Sequence, residues 1–279
     1  MQKGDEREKI IANLYDEINI IIDYTGLTDK DIVEKASDID ALLKEGRYVK
    51  SMSPLTYDEI EQYSKRQRRE LSLAAKRNSI EEENSVRYVR EDNLVEVVIY
   101  RTFTQIRLSY NDNIKHALRD YFSVMLDIMN CLNVDRPFFK IQTLFLQKKN
   151  KVFGTSIYQL FQCFEKDRFG TFIQGTKNDL YKLNILDGQE NFSCDDLEFE
   201  VQKLVGSGID ANTKKKICIG RLDIIGRYDA APIEDIDIID KFGKLNDGIY
   251  DIFKKYLKKS FLEDMISGKT KKLIGGFHL

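Results

Sequence analysis

Residues 86–110, VRYVREDNLVEVVIYRTFTQIRLSY, decide the fold class of this chain. The stretch divides into VRYVRED and NLVEVVIYRTFTQIRLSY, and both parts are rich in β-branched and aromatic residues. Such residues favour extended backbone on a pleated, half-buried surface. We therefore predict two or three paired strands within this stretch.

The spacing of apolar residues predicts further strands and helices on both sides of this stretch. The isoleucines of YDEINIIIDY, residues 15–24, alternate as they do in a strand. A helix follows that strand, and Thr28 is suited to cap its start while Gly46 is suited to end it. After the opening stretch, residues 111–132 have helical spacing and residues 137–153 return to a strand.

The C-terminal part of the chain predicts three more strands and a long helix. The strands are expected in DLYKLNILDG, LEFEVQKLVGSG and KKKICIGRLDIIGRYDA, as an antiparallel meander joined by turns. Apolar residues then recur every three or four positions from Glu234 to Ile266, which predicts a helix. At a rise of 1.5 Å per residue it would be roughly 45–50 Å long, enough to cross a sheet.

This order of elements predicts an α+β fold, with antiparallel sheets backed by helices and the long C-terminal helix lying across the sheet. We divide the chain into an N-terminal α+β half at 1–154 and a second part at 155–267 that holds the meander and the long helix. Residues 268–279 are predicted to be a flexible tail. The two halves have similar patterns, but they show no sequence repeat.

A basic helix is predicted at residues 56–78, within the N-terminal half. Thr56 and Glu59 form a capping box at its start, and an apolar stripe follows. Its cations lie on the other side and are Lys65, Arg66, Arg68, Arg69, Lys76 and Arg77. A charge run of this kind is most often a solvated face, and the alternative is a surface that binds nucleic-acid phosphates. Three further candidates for phosphate binding are Lys214, Lys215 and Lys216.

A charged side is predicted on the strand in GRLDIIGRYDA, residues 220–230, because its charged residues alternate. Arginines from another strand can lie beside it. The candidate residues are Arg101, Arg107, Arg221, Asp223 and Arg227. Three interpretations stay open: a solvent face, an internal ion-pair network, and a groove for a polar ligand.

Composition and residue counts exclude several kinds of site. The net charge is −2 and the pI is about 5.9, so nucleic-acid binding would have to be local. The chain has two histidines and four widely spaced cysteines, and this pattern predicts neither a zinc site nor a histidine-dependent catalytic site. We predict no catalytic residue, metal or cofactor. We also expect a cytoplasmic protein with reduced thiols, because there is no signal peptide and no apolar run long enough to span a membrane.

Three stretches carry a resemblance to a protein family. They are ANLYDEINIIIDY, then LVEVVIYRTFTQIRLSYNDNIKHALRDYFSVMLDIMNCL running into FFKIQTLFLQKKNKVF, and finally LNDGIYDIFKKYLKKSFLEDMI. Together they resemble a family of uncharacterised prokaryotic proteins that is distributed sporadically across genomes. Family members close the corresponding strand on an asparagine, here Asn150, and have a phenylalanine at the centre of the last helix, here Phe253. The family usually has a histidine where this chain has Asn246, and that departure argues against catalysis here.

The resemblance implies a fold over most of residues 13–267 and supplies no catalytic signature. The patchy distribution of the family across genomes is similar to that of mobile genes, including toxin–antitoxin and phage-defence components. Our leading hypothesis is therefore a non-enzymatic protein-interaction module, such as an accessory, antitoxin or sensor component, with a protein partner or a second copy of itself. One alternative is nucleic-acid binding through residues 65–77. The other is a carboxylate- or metal-dependent enzyme that uses Asp223 or the acidic residues within 234–240.

Overall fold

The computed structural model describes residues 14–51, 85–109, 118–169, 185–209, 214–229, 237–269, 272–273 and 276–278. The first strands are β1 (Tyr15–Thr25), β2 (Tyr48–Lys50), β3 (Val86–Arg90), β4 (Val95–Ile99) and β5 (Phe103–Ser109). The later strands are β6 (Lys140–Gly154), β7 (Ile185–Cys194), β8 (Leu197–Ile209) and β9 (Lys216–Asp229). They form one antiparallel sheet in the order β2-β3-β4-β5-β1-β6-β9-β8-β7.

The described helices are α1 (Asp29–Glu45), α2 (Leu118–Asn133), α3 (Ile157–Leu160), α4 (Lys166–Phe169), α5 (Ile238–Tyr256) and α6 (Lys259–Ser267). Helix α1 has the predicted caps: Thr28 Oγ1 accepts a hydrogen bond from the Asp31 amide at 3.3 Å, and Gly46 ends the helix. Helix α5 packs on β9 and β6. The predicted α+β class, with a C-terminal helix across an antiparallel sheet, is confirmed.

The core lies between these helices and one face of the sheet. Ile20 and Ile22 of β1 are fully buried there, whereas Ile21 between them is only partly buried. Above them, Phe122 of α2 stacks on Phe242 of α5 with ring centroids 5.0 Å apart. Because successive side chains of a strand point to opposite faces, the other face of the sheet carries a separate set of residues.

The topology consists of two similar units that meet at the centre of the sheet. The first unit is β1-α1-β2-β3-β4-β5-α2, and the second is β6-α3-α4-β7-β8-β9-α5. Strands β1 and β6 each open a unit and pair with each other in antiparallel orientation. Each is flanked on its other side by the last strand of its own unit, β5 or β9.

A constant spacing in the sequence relates the two units. Asn19 and Gln147 are direct partners across the β1–β6 ladder and lie 128 positions apart. The same spacing relates the helix caps Thr28 and Ser156. Each hydroxyl oxygen accepts a hydrogen bond at 3.3 Å from the backbone amide of the residue three positions later. The two units are thus related by an approximate two-fold axis that passes between Asn19 and Gln147.

The structure differs from the sequence prediction at the C-terminal helix, which is two helices rather than one. Helix α5 ends at Tyr256, Leu257 is extended, and α6 begins at Lys259. The amide of Lys258 donates to the carbonyl oxygen of Cys163 at 2.8 Å. This bond to a distant part of the chain takes the place of a helical one, and neither glycine nor proline marks the break.

Two short strands lie in the segment predicted to be a flexible tail. They are β10 (Lys272–Leu273) and β11 (Gly276–His278). Strand β11 pairs in parallel with β6 at Val152 and Phe153, just beyond the part of β6 that β1 covers. The segment therefore adds backbone hydrogen bonds to the centre of the sheet.

Candidate functional site: the open face of the sheet

We call the side of the sheet away from the helices the open face. It carries the partly buried residues that alternate with the core residues along each central strand. Ile21 of β1 pairs with Gln105 of β5 on one side and with Phe145 of β6 on the other. Directly paired residues of neighbouring strands share a face, so these three side chains lie together.

A row of amides crosses the middle of the open face. Gln105 Nε2 donates to Asn19 Oδ1 at 2.9 Å, and Asn19 Nδ2 donates to Gln147 Oε1 at 3.0 Å. Asn19 is only 3% exposed, so these bonds replace the water that its amide loses. Within the described part of the chain, the Gln147 amide nitrogen and the Gln105 amide oxygen keep unused hydrogen-bonding capacity.

A cavity of about 800 Å³ lies over this row, and we call it the groove. Its walls come from six strands that run consecutively from β5 through β1, β6, β9 and β8 to β7. Five strand spacings in a flat sheet would separate β5 from β7 by roughly 24 Å. Because both strands line one cavity, the sheet curves around the groove and its open face is concave.

The groove combines aromatic rings with carboxylates. Three of its lining phenylalanines, Phe103, Phe145 and Phe192, come from three different strands. Glu198 and Glu200 line the groove from β8, and neither has a cation within ion-pair distance in the described residues. Glu200 accepts one hydrogen bond, from Gln202 Nε2 at 2.6 Å. The groove therefore presents negative charge that the described residues do not neutralise with an ion pair.

Arg227 is the arginine of the groove, and its charge is already engaged. Its Nε donates to Asp229 Oδ1 at 2.7 Å, and its guanidinium lies 5.8 Å from the centroid of the Phe145 ring. Arg227 pairs directly with Glu198 across the β8–β9 ladder but makes no ion pair with it. The preference of Arg227 for Asp229 leaves the Glu198 carboxylate available to a ligand.

A network of ion pairs occupies the neighbouring part of the open face. Arg107 Nη2 lies 2.7 Å from Glu17 Oε2, and Lys149 also donates to Glu17. Burial acts to raise the pKa of Glu17, but the hydrogen bonds from Lys149 and Asn19 and the charge of Arg107 outweigh it. The pKa of Glu17 is therefore below its ordinary value, and the carboxylate is held in its charged form.

A second cavity of about 450 Å³ continues the open face, and we call it the Asp223 cavity. Gln189 lines both cavities, so they are adjacent. Asp223 is 1% exposed and its Oδ2 accepts a hydrogen bond from Arg221 Nε at 2.8 Å. That hydrogen bond raises the pKa of Arg221 above its ordinary value. Asp223 Oδ1 is buried and has no hydrogen-bond partner among the described residues.

The structure brings together four of the five residues predicted from the charged strand. Arg221, Asp223 and Arg227 of β9 and Arg107 of β5 all lie on the open face, within the ion-pair network or the cavity walls. Arg101 lies in the turn between β4 and β5. Strand alternation was the signal that found this side. The same alternation also places further residues on this face that were not predicted: the amides Asn19, Gln105 and Gln147 and the glutamates Glu198 and Glu200.

The structure describes only one of the two basic groups that are predicted to contact phosphate. The residues predicted in the basic helix, Lys65, Arg66, Arg68, Arg69, Lys76 and Arg77, lie outside the described residues. Lys214, Lys215 and Lys216 are exposed and lie at the start of β9, beside the end of β8. Their role in binding phosphate stays a prediction.

A buried polar cluster lies on the opposite, helix-covered face. Lys148 is 2% exposed, donates to Asn246 of α5, and places its Nζ 4.8 Å from the centroid of the Tyr15 ring. Asn150 is fully buried and its Nδ2 donates to the Leu222 carbonyl at 2.7 Å. Asn246 thus accepts a structural hydrogen bond at the position where the resembling family usually has histidine.

In the part of the chain that the structure describes, no group of three or more His, Cys, Asp and Glu side chains is placed to hold a metal ion. No helix within the described ranges is both long and apolar enough to cross a membrane. Comparison with protein-family models and with curated proteins gives no match to this chain. The family resemblance therefore stays a prediction.

Proposed function

We propose that this protein is a non-enzymatic binding module of the cytoplasm and that its groove binds a basic segment of a partner protein. The observation that carries the proposal is the concave groove, in which Glu198 and Glu200 lack cationic partners within the described residues. Carboxylates without a cationic partner favour a ligand of opposite charge.

The other side chains of the groove fit a polypeptide ligand. Aromatic rings such as Phe103 and Phe145 supply apolar contact area and attract cations over their faces. Amides such as Gln105 and Gln147 can both donate to and accept from peptide groups. A segment with arginine or lysine between small residues would use all three kinds of side chain at once.

The proposed biological setting follows from the resemblance rather than from the groove. A binding module with a sporadic distribution suits an accessory, antitoxin or sensor component of a prokaryotic defence or toxin–antitoxin system. In an antitoxin, for example, a groove of this kind would cover a basic segment that the partner needs for its own activity.

The test compares two labelled peptides by fluorescence anisotropy. One alternates arginine with serine, and the other replaces each arginine by citrulline, which has nearly the same shape and no charge. We expect the arginine peptide to bind and the citrulline peptide to bind more weakly. The double variant Glu198→Gln/Glu200→Gln should lose about 1–2 kcal/mol of binding free energy, or roughly 5- to 30-fold in affinity.

The matched control is Glu45→Gln/Glu263→Gln, which makes the same change in net charge at exposed positions of α1 and α6. It should leave the affinity within about twofold of the unaltered protein. Equal binding of the two peptides, or equal losses in the two double variants, would contradict the proposal. Duplex DNA serves as a third ligand: if it binds better than the arginine peptide and Arg68→Glu/Arg69→Glu abolishes that binding, the nucleic-acid alternative replaces the proposal.

A further inference from the structure

The Asp223 cavity contains a buried carboxylate oxygen that lacks a donor. Asp223 Oδ2 is engaged by Arg221, but Oδ1 has no hydrogen-bond partner in the described residues. An unsatisfied buried acceptor is costly, and that cost is removed when a donor reaches it. Asp223 lines the cavity wall but is only 1% exposed, so a ligand in the cavity supplies that donor after a side chain of the wall moves aside.

Neighbouring strands add further acceptors around the same cavity. Asp187 of β7 is exposed and makes no ion pair within the described residues. Gln202 of β8 uses its amide nitrogen on Glu200, which leaves its amide oxygen for other donors. Three acceptors from three adjacent strands thus line one small cavity.

Arg221 contributes a positive charge to the wall of this cavity. Its guanidinium binds Asp223 Oδ2, while its side chain remains 40% exposed and is therefore able to shift aside. Lys203 also lines the cavity, but its ammonium forms an ion pair with Glu190. The other charged lining residues are Asp187 and Asp223, which are negative, and Arg221, which is positive, so together they have a net charge of −1. A ligand with several donors and one positive charge matches both the acceptors and the charge.

We propose that the Asp223 cavity binds the guanidinium group of an arginine side chain. A guanidinium presents five N–H donors in a planar fork, so one group can serve acceptors on several strands. An ammonium carries its three donors on a single nitrogen, so it is less suited to separated acceptors. This inference rests on the proposed function, since the arginine would belong to the segment bound in the adjacent groove.

The test uses N-acetyl-arginine amide as the probe and N-acetyl-citrulline amide as its neutral counterpart. Each is titrated into the ¹⁵N-labelled full-length protein, and amide shifts are followed by NMR. We expect the arginine probe to bind with a dissociation constant on the order of 1 mM and to shift the side-chain amides of Gln189 and Gln202. Asp223→Asn should lower the affinity by about tenfold or more.

Asp187→Asn is the second variant, because this exposed side chain does not support the fold and its change should weaken the probe by about two- to fivefold. Equal shifts from both probes would overturn the proposal, as would unchanged affinity in both variants. If the arginine–serine peptide binds through Glu198 and Glu200 but ignores Asp223, this inference fails and the proposed function stands. If only the single-arginine probe binds, and through Asp223, the proposed function fails and this inference stands.

Discussion

Replacing Gly248 by alanine should disrupt the contact between α5 and the sheet. An added Cβ would lie 2.3 Å from Phe199 Cζ and 2.8 Å from Phe199 Cε1, far inside van der Waals contact. The Phe199 ring is 4% exposed, and an ideal Cβ on Gly226 of β9 would lie 3.2 Å from its Cε1 and 3.3 Å from its Cδ1. The ring therefore has little room to move away.

Gly243 of the same helix provides the matched control, because nothing lies within 4 Å of a Cβ added there. Gly243→Ala should raise the free energy of unfolding by about 0.5–1 kcal/mol through helix propensity alone. Gly248→Ala has the same gain, but the overpacking costs about 1–3 kcal/mol or more. We expect Gly248→Ala to be net destabilising by about 1–2 kcal/mol.

The assay is urea unfolding followed by circular dichroism, with the slope of the transition checked for each variant. The combination Phe199→Leu/Gly248→Ala should be less destabilising than the sum of its two single changes, because the smaller side chain removes the clash. The reasoning is refuted if Gly248→Ala and Gly243→Ala are equally stable, or if the two changes at 199 and 248 are additive.

The remaining predictions concern the thiols and the response to acid. Among the cysteines, Cys194 is exposed and should react with a thiol reagent first, whereas Cys163 and Cys218 are buried and should react only on unfolding. Burial raises the pKa of Cys163 to about 12, which further suppresses its thiolate, and prompt labelling of Cys163 in the folded protein would contradict this expectation. The pKa of Glu17 is lowered from 4.5 in the folded state, so its stabilising contribution is present above that value and is lost as the pH falls through the folded pKa. Glu17→Gln should therefore flatten the decline in unfolding free energy between about pH 5 and pH 3, and Glu263→Gln should not.

Local patterns were sufficient to predict most strands and the α1 helix. The isoleucines of β1 alternate because one face is covered by helices, and Thr28 and Gly46 carry the chemistry of helix ends. The break at Leu257 could not be predicted, since a hydrogen bond to Cys163 causes it and no local breaker is present. Contacts between distant segments override propensity in such places.

The candidate site was predictable only in part for a similar reason. Alternation along β9 placed Arg221, Asp223 and Arg227 on one side, and the structure agrees. Strand order could not be deduced from the residues, so the approach of β8 and its Glu198 to the aromatic rings of β5 and β6 was not foreseen. The curvature that creates the groove is a property of the whole sheet rather than of any single stretch.

The approximate two-fold axis at Asn19 and Gln147 has a consequence for the ancestry of the chain. Each unit begins with the strand that joins it to the other, as a subunit does in a symmetric dimer. The chain can thus be understood as two fused protomers, in which the interface became the centre of a single chain. After such a fusion the copies are free to diverge: the second unit has Lys148 and Asn150 where the equivalent buried positions of the first have Ile20 and Ile22. The open face then needed no symmetry, and one copy was free to acquire the carboxylates Glu198 and Glu200.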